Sequence, residues 1–552
     1  MIKERKSAIK WIFQNMKPIA LAIVLLTFMG ITLSYLSVEF AMAAGELLDV
    51  ATGQSHKSMT DCVVRLIVLL LAEITIESVY NIYAINLSTR YKNKLQKNLF
   101  STIMTRDWRG INGFHSGELI NRLTSDVSII NSNIIDIIPL FVMLVTGVAF
   151  SFITLAKLDL SLAFICLALG PVVIVTSALY GRKMKKLHKK CQESDGRTRS
   201  FMQECIQNII AVKAFRGENK AEKHTAGLQM ENYRHNMKRG YISIAVNILY
   251  YLGMTVAYYF AVVWCAYKIS IGIMSVGVFT AIIQLVNSIQ SPFRTISGTV
   301  SQFFAICASA ERIMEIEAIP NDVEPGIFPE DFTCITGENM TFRYDEEDVF
   351  SDANFRIDKG DIVVVSGDSG KGKSTLFKLL LGILKPQSGE VCVYNKEEKI
   401  LAGYRTRSLF AYVPQGNMIV SGTIRTNIAF FDEDVDEERL RHSAEQACML
   451  DYIEKLPKGF DTVLGEGGMG LSEGQVQRLA IARALYADLP VILFDEATSA
   501  LDEETEEKIL KNIKSHTDKT CVIISHRSGA FAIADKILYT ENKTLKMAKN
   551  LQ

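Results

Sequence analysis

Hydrophobic and polar positions change character along this chain near residue 315. Upstream, Pro18 to Val38, Ile137 to Ala156, Leu160 to Gly181, Gly240 to Tyr267 and Ile269 to Phe293 contain no Asp, Glu, Lys or Arg. A charge in hydrocarbon costs on the order of 2.5 to 3.5 kcal/mol even on an insertion scale, and about 20 apolar residues cross a ~30 Å core. Each run therefore predicts a spanning helix. A sixth, Cys62 to Leu87, carries Arg65, Glu73 and Glu77 but keeps an aliphatic stretch from Leu66 to Ala72. The expected spans are about 18–44, 62–87, 130–156, 160–182, 242–267 and 270–296, and six crossings return both termini to one side.

The intervals from about Ser88 to Asp126 and Arg182 to Arg239 mix apolar and charged residues at helical spacing, so they read as cytoplasmic continuations of the spanning helices. Some 15 to 20 extra residues reach roughly 25 to 30 Å beyond the membrane, where each turnaround can meet a soluble domain. A linker rich in Pro, Gly and acid follows at 316–330. From 331 to 552 short apolar runs (Ile362 to Val365, Val491 to Phe494, Cys521 to Ile524) lead into polar turns and then helices, the pattern of a mainly parallel α/β sheet. The expected architecture is a multidomain membrane protein: an all-α six-helix transmembrane domain over 1–315 with long cytoplasmic extensions, then an α/β domain.

Composition agrees with an apolar block joined to a soluble one, since 49% of residues are hydrophobic while 22% remain charged. Sixty basic residues balance sixty acidic ones, which leaves no net field or basic patch for nucleic acid. The ten cysteines stand singly, without a CxxC pair, and fit reduced thiols. Orientation follows from local charge: the N-terminal MIKERKSAIK and the segment Arg182, Lys183, Lys185, Lys186, Lys189, Lys190 are basic, whereas the first inter-span loop holds Glu46, Asp49 and Asp61 against Lys57. By the positive-inside rule both termini are cytoplasmic. The first apolar stretch is span-length and lacks a cleavage pattern, so no signal peptide is expected.

Chemistry concentrates downstream. Gly367-Asp368-Ser369-Gly370-Lys371-Gly372-Lys373-Ser374 is a complete G-x-x-x-x-G-K-[ST] loop between an apolar strand and a helix that starts around Thr375. Backbone N–H groups of such a loop wrap a polyphosphate, Lys373 reaches its terminal phosphates, and the Ser374 hydroxyl suits Mg²⁺. The apolar strand Val491 to Phe494 ends in Asp495-Glu496. Adjacent carboxylates at a strand end diverge, so Asp495 can serve Mg²⁺ while Glu496 faces an attacking water. Phosphoryl transfer asks mainly for such positioning and charge neutralisation.

Between these motifs lies Leu471-Ser472-Glu473-Gly474-Gln475, which resembles the signature sequence of the ATP-binding cassette (ABC) family. Ser499, Ala500, Leu501 and Asp502 are similar to its D-loop, Gln415 to its Q-loop, His526 to its switch histidine, and Tyr344 to the aromatic that stacks on adenine. With SGELINRLTSDV, PFRTISGTV and ASAERIMEI in the membrane half, the resemblance covers nearly the whole chain, as a half-size exporter-fold member. It implies an ATPase using ATP and Mg²⁺, with Ser374, Gln415 and Asp495 toward the metal and Glu496 and His526 catalytic. Thr375 joins the phosphate-binding set. It further implies that the signature acts in trans, so a second copy is required; a homodimer is expected, with a heterodimer left open. The implied setting is the lipid bilayer of a bacterial cytoplasmic membrane, with export of a peptide, lipid or small amphipathic compound by alternating access. An ATP-gated channel or a membrane-bound sensor is the alternative.

One departure stands out: Glu473 occupies a position where the family usually has glycine. Pointing away from the nucleotide it suits a helix N-terminus; pointing inward it opposes an anion. In the membrane, Glu73 and Glu77 share one helix face. They either line the translocation cavity, favouring a cationic or amphipathic substrate, or pair with Arg65 or a neighbouring helix, or sit near the headgroups.

Overall fold

The computed structural model describes residues 2–326, 328–368, 370–395, 398–416, 419–465, 470–515 and 518–549. Ser369 lies outside these, as do the side chains of Arg182, Lys183, Lys185 and the whole PFRTISGTV motif. The chain divides into two compact units. One comprises Met1–Phe100 and Ser116–Glu315, the other Ser101–His115 and Ile316–Gln552. This differs from the linear division at 315, because a 15-residue turnaround from the N-terminal half packs with the C-terminal unit.

The first unit is helical throughout. After α1 (Ile2–Met16) come α2 (Ala20–Ala51), α3 (Met59–Thr105), α4 (Trp108–Asn112), α5 (Ser116–Asn121), α6 (Val127–Leu158), α7 (Leu160–Gln207), α8 (Ile209–Ala214), α9 (Glu218–Ser270) and α10 (Val276–Glu317). Six of these helices are long, α2, α3, α6, α7, α9 and α10, and the last starts at Val276 because a turn fills Ile271 to Ser275. Among the described residues, Ser7–Ala51, Ser116–Leu158 and Glu218–Ser270 are long and apolar enough to cross a membrane. α10 contributes the shorter apolar stretch Val276–Ser291. At 1.5 Å per residue, the 53 residues of α9 extend about 80 Å, well beyond one bilayer.

Side chains from five of these helices meet in one apolar core: Val38, Leu155, Leu162, Ala261, Cys265, Leu285 and Ile289 are all buried there. Between the start of α6 and the end of α10, Asp126 is buried and accepts from Ser309 Oγ at 2.9 Å and from the Arg312 guanidinium. Arg122, also buried, reaches the Arg312 carbonyl and pairs with Glu118 (2.6 Å) and Glu315 (2.8 Å). A π-helical turn at Arg122–Asp126 points both charges at α10. Further along, Arg65 bonds Glu39 and Glu46, each at 2.8 Å. That pairing removes Arg65 as the partner of Glu73 and Glu77.

The second unit is α/β. Its elements are β1 (Cys334–Tyr344), β2 (Glu347–Asp358), β3 (Ile362–Ser366), α11 (Lys373–Leu380), β4 (Ser388–Asn395), β5 (Glu398–Leu401), β6 (Phe410–Val413), β7 (Gly422–Thr423), α12 (Ile424–Ala429), α13 (Glu437–Gln446), α14 (Leu450–Glu454), β8 (Val463–Leu464), α15 (Glu473–Ala487), β9 (Val491–Asp495), α16 (Glu503–Ser515), β10 (Thr520–Ile524), α17 (Ser528–Ile533), β11 (Lys536–Glu541) and β12 (Thr544–Lys549). A six-stranded sheet runs β12-β11-β3-β10-β9-β6, parallel except for the β11/β12 hairpin. Its central strands are continuous apolar runs, as expected of strands covered on both faces. A four-stranded antiparallel sheet, β2-β1-β4-β5, packs beside it through Phe342, Phe350, Phe377 and Leu538.

The turnaround 101–115 is fastened to this unit through its backbone. Asp107 N donates to Pro320 O at 2.9 Å and Asp322 N to Thr105 O at 2.8 Å. Lys378 of α11 lies 5.0 Å from the Trp108 ring centroid. Asp322 itself pairs with Arg407.

Candidate functional site

Four neighbouring parallel strands end at the same sheet edge. The turn after β3 begins at Gly367, β6 leads to Gln415, β9 to Asp495-Glu496, and β10 to Ser525-His526. Crevices beyond the carboxyl ends of parallel strands are where such sheets bind ligands. Sequence separation of more than a hundred residues is thereby converted into hydrogen-bond distance.

Within this edge, Ser374 Oγ donates to Asp495 Oδ1 at 3.0 Å and Tyr412 OH donates to Asp495 Oδ2 at 3.1 Å. Gln415 Nε2 donates to Glu496 Oε2 at 2.7 Å. Lys373 Nζ is held by Gly367 O (2.7 Å) and Asp368 O (3.2 Å), and lies 2.9 Å from His526 Nε2. Burial raises the Asp495 carboxyl above the ordinary aspartate range, against the opposing donors Ser374 and Tyr412. Burial, and then the charge of Asp495, pushes the Tyr412 phenol up as well.

The loop needs its glycines for space and backbone. Gly372 sits at φ +89°, and a Cβ there would collide with Val349 and Phe350. Glu496 also adopts the left-handed region, at φ +49°, which a glutamate enters only under constraint. Its N–H is held by Ile524 O at 3.1 Å.

A cleft of about 590 Å³ opens over these groups, lined by Tyr344, Gly370, Lys371, Gly372, Lys373, Ser374, Thr375, Gln415 and Glu496. Tyr344 is 39% exposed and meets Phe342 edge-on, so one face of its ring stays available to a planar ligand. The same cleft is lined by Thr540 to Thr544 of the β11/β12 hairpin, a set with no motif to announce it. Oxygen donors from Ser374 and buried Asp495, side by side at the mouth of a phosphate loop, fit a hard divalent cation.

The signature residues are built differently. Ser472 caps α15, accepting from Gln475 N at 3.3 Å while its own N–H donates to Gln475 Oε1 at 2.9 Å. Glu473 follows as an exposed first-turn acid, and Gly474 packs close to Ala500 O. None of residues 471–475 or 499–502 lines the cleft. The D-loop segment is anchored by groups that the sequence did not flag. Gln477 Nε2 donates to Ser499 Oγ and Ala500 N to Gln477 Oε1, both at 3.0 Å. Arg527 donates to Ser499 O (2.7 Å) and Leu501 O (2.8 Å) and pairs with buried Glu506 (2.7 Å). Asp502 caps α16 by accepting from Thr505 N at 3.0 Å. Arg527 adjoins His526, which was the available hint.

Comparison with known proteins agrees with this architecture. The family described as ABC transporter transmembrane region matches residues 19–293, and that described as ABC transporter matches 350–499. An ATP-dependent lipid A-core flippase of Desulfotalea psychrophila is 30% identical over 444 residues, covering 77% of this chain and 76% of the relative. A putative export ATP-binding/permease protein of Rickettsia felis is 29% identical over 538 residues, 94% of this chain and 91% of that protein. In fold, the chain superposes on a bacterial Atm1-family ABC exporter with ATP bound at a TM-score of 0.81 and 22% identity, covering 97% of this chain and 96% of the other. The channel or sensor alternative finds no favour among these relatives. The chain belongs to the ABC transporters, as a half-size exporter that joins a membrane domain to one ATP-hydrolysing cassette.

Proposed function

We propose that two copies of this chain form a homodimer in a bacterial cytoplasmic membrane, with termini and cassettes cytoplasmic, and expel an amphipathic compound by alternating access. The carrying observation is that the cleft over Lys373 and Glu496 receives nothing from residues 471–475 of its own chain. Ser472 ends α15 exposed, free to meet a nucleotide held by another copy. A second surface supports the same reading: Ile210 (82% exposed) and Phe215 (86%) crown the turnaround at α8, an apolar tip that a partner cassette would cover.

In the proposed site, Tyr344 stacks on adenine and the 367–375 loop wraps the phosphates. Bound Mg²⁺, held by Ser374 and Asp495 with Gln415 nearby, would neutralise phosphate charge. Glu496 orients and deprotonates water, and Gln415 fixes its carboxylate. His526, next to Lys373, contacts the terminal phosphate. The 499–502 segment, clamped by Arg527 and Gln477, passes between the two sites.

The Desulfotalea relative is named for lipid A-core; for this chain the coarser class, a lipid, peptide or small amphipathic compound, is the reading. Glu73 and Glu77 contribute if they line the path. Arg65 is already paired elsewhere, so their charge is available to a cationic headgroup. Glu73→Gln and Glu77→Gln should then narrow the range of cationic substrates with ATPase intact, and an unchanged range discards the idea.

Inter-subunit complementation tests the composite site. Lys373→Ala and Ser472→Ala chains should each be inactive as homodimers. Their heterodimer contains one intact site, so mixing should restore roughly half of the two-site rate or less. Absence of any recovery in verified heterodimers would overturn the shared-site reading.

A further inference from the structure

We infer that Lys371 of one copy and Glu473 of the other form an ion pair beside each nucleotide, a charge match by which the chain selects its own copy as partner; this rests on the shared site proposed above. Lys371 is a second lysine inside the phosphate loop, two residues before Lys373. Glu473 stands next to Ser472, the signature residue that would meet the nucleotide of the other copy.

Lys371 lies between Gly370 (φ +82°) and Gly372 (φ +89°), lines the cleft, and keeps 46% of its side chain exposed. Asp368 holds its ammonium at 2.5 Å but is not itself part of the cleft lining. An ammonium has three donors, so Lys371 can take a second carboxylate without leaving the first. The other cations of the cleft are placed differently: Lys373 is buried and turned onto Gly367 O and Asp368 O, and Lys543 belongs to the β11/β12 hairpin. Glu473 is the counterpart. It is exposed at the first turn of α15, and among the described residues its carboxylate has no hydrogen-bond or ion-pair partner. Ser472 and Gln475 beside it are closed on each other by the capping box.

In the shared site Ser472 meets a nucleotide lying over the partner's Lys373. The Cα of Glu473 is about 3.8 Å from that of Ser472, and the Cα of Lys371 is at most about 7.6 Å from that of Lys373. A carboxylate brought so near a polyphosphate is repelled unless a cation balances it, and Lys371 is the exposed cation that the loop itself supplies. Two-fold symmetry gives each site one Lys371 and one Glu473, so both are matched. A partner with neutral residues at these two places leaves both charges unmatched, which favours like with like.

The experiment is carbodiimide cross-linking of full-length Glu496→Gln protein in nanodiscs with ATP and Mg²⁺, a reagent that joins a lysine to a contacting carboxylate as an amide. Mass spectrometry should find a Lys371–Glu473 link in a dimer-sized product, and mixing isotope-labelled with unlabelled chains should place it between copies. Omitting ATP should lower its yield ~5-fold or more. Lys371→Gln gives the functional readout, the ATP concentration for half-maximal nucleotide trapping. It should rise about fivefold where Glu473 is present, since a bare carboxylate is left beside the phosphates, and less than about twofold in a Glu473→Gln chain. A link from Lys371 to Asp368 alone, or the same rise in both backgrounds, overturns the pairing. Success of the Lys373→Ala and Ser472→Ala complementation alongside that result strikes the pair alone, and its failure strikes the shared site as well.

Discussion

Gln415 donates its side-chain amide to the Glu496 carboxylate at 2.7 Å, joining the end of β6 to the end of β9. One oxygen of Glu496 is thereby oriented while the residue's backbone is held in the left-handed region. The carboxylate proposed as the base is thus fixed on two sides.

Glu496→Gln should therefore lower ATP hydrolysis by about 10²-fold or more, the usual cost of losing a positioned base, while leaving nucleotide binding intact. Nucleotide retained after rapid desalting in ATP and Mg²⁺ is the measurement. Gln415→Leu should cost less, about 10-fold, because the base remains. Equal losses would mean that Gln415 does more than position it.

Trp108 and Lys378 connect the turnaround to the helix that begins with Lys373. Trp108→Ala removes the Lys378 contact, worth about 0.5 to 1 kcal/mol, together with the ring's packing against the core that holds Phe342, Phe350 and Phe377, without touching the cleft. Basal hydrolysis should stay within roughly threefold, whereas transport into inverted vesicles should fall by about 10-fold. Parallel loss of both activities would show that Trp108 supports the cassette itself and not the link.

Asp126 is buried against Arg312, whose side chain keeps 41% exposure. Asp126→Asn should destabilise by about 2 kcal/mol, less than the 3 to 5 typical when a fully buried pair is broken. Thermal unfolding in detergent measures this, and Asp126→Asn combined with Arg312→Met should recover part of it. An unmoved midpoint in the single variant would remove the pair from any structural role.

Glu473 is exposed at the first turn of α15. Glu473→Gly should change the KM for ATP less than about twofold and weaken the helix by ~1 kcal/mol, through added backbone freedom and a lost N-terminal acid. A KM lowered tenfold would show that the carboxylate opposes the nucleotide.

The long apolar runs and the phosphate loop were legible because each depends on local order. Hydropathy over twenty residues marks a span, and Gly367 to Ser374 must be contiguous to wrap a phosphate. What escaped was set by pairing across the sequence. Arg65 could be seen as a charge within a candidate span, but its partners Glu39 and Glu46 lie 26 and 19 residues away on another helix. Nothing local marks Tyr412; it is the pairing of β6 with β9 that brings its hydroxyl to Asp495. The hairpin at Asn542 and Lys543 has turn-forming residues, yet nothing in its pattern says that it borders the cleft. Arg527 illustrates the middle case: adjacency to His526 was a hint that went unused, and only the fold revealed the two carbonyls that it grips.

The fastening of residues 101–115 to the C-terminal unit sets an order of events during synthesis. Thr105 and Asp107 leave the ribosome roughly 200 residues before Asp322 and the sheet beyond it, a delay of about 10 to 40 s at 5 to 20 residues per second. Through that interval the turnaround has no seat, and its nascent helices wait beside the translocon with Trp108 uncovered. Chaperone capture and quality control should therefore read this segment first, and a truncation just before β1 should be degraded even though every membrane helix has been inserted.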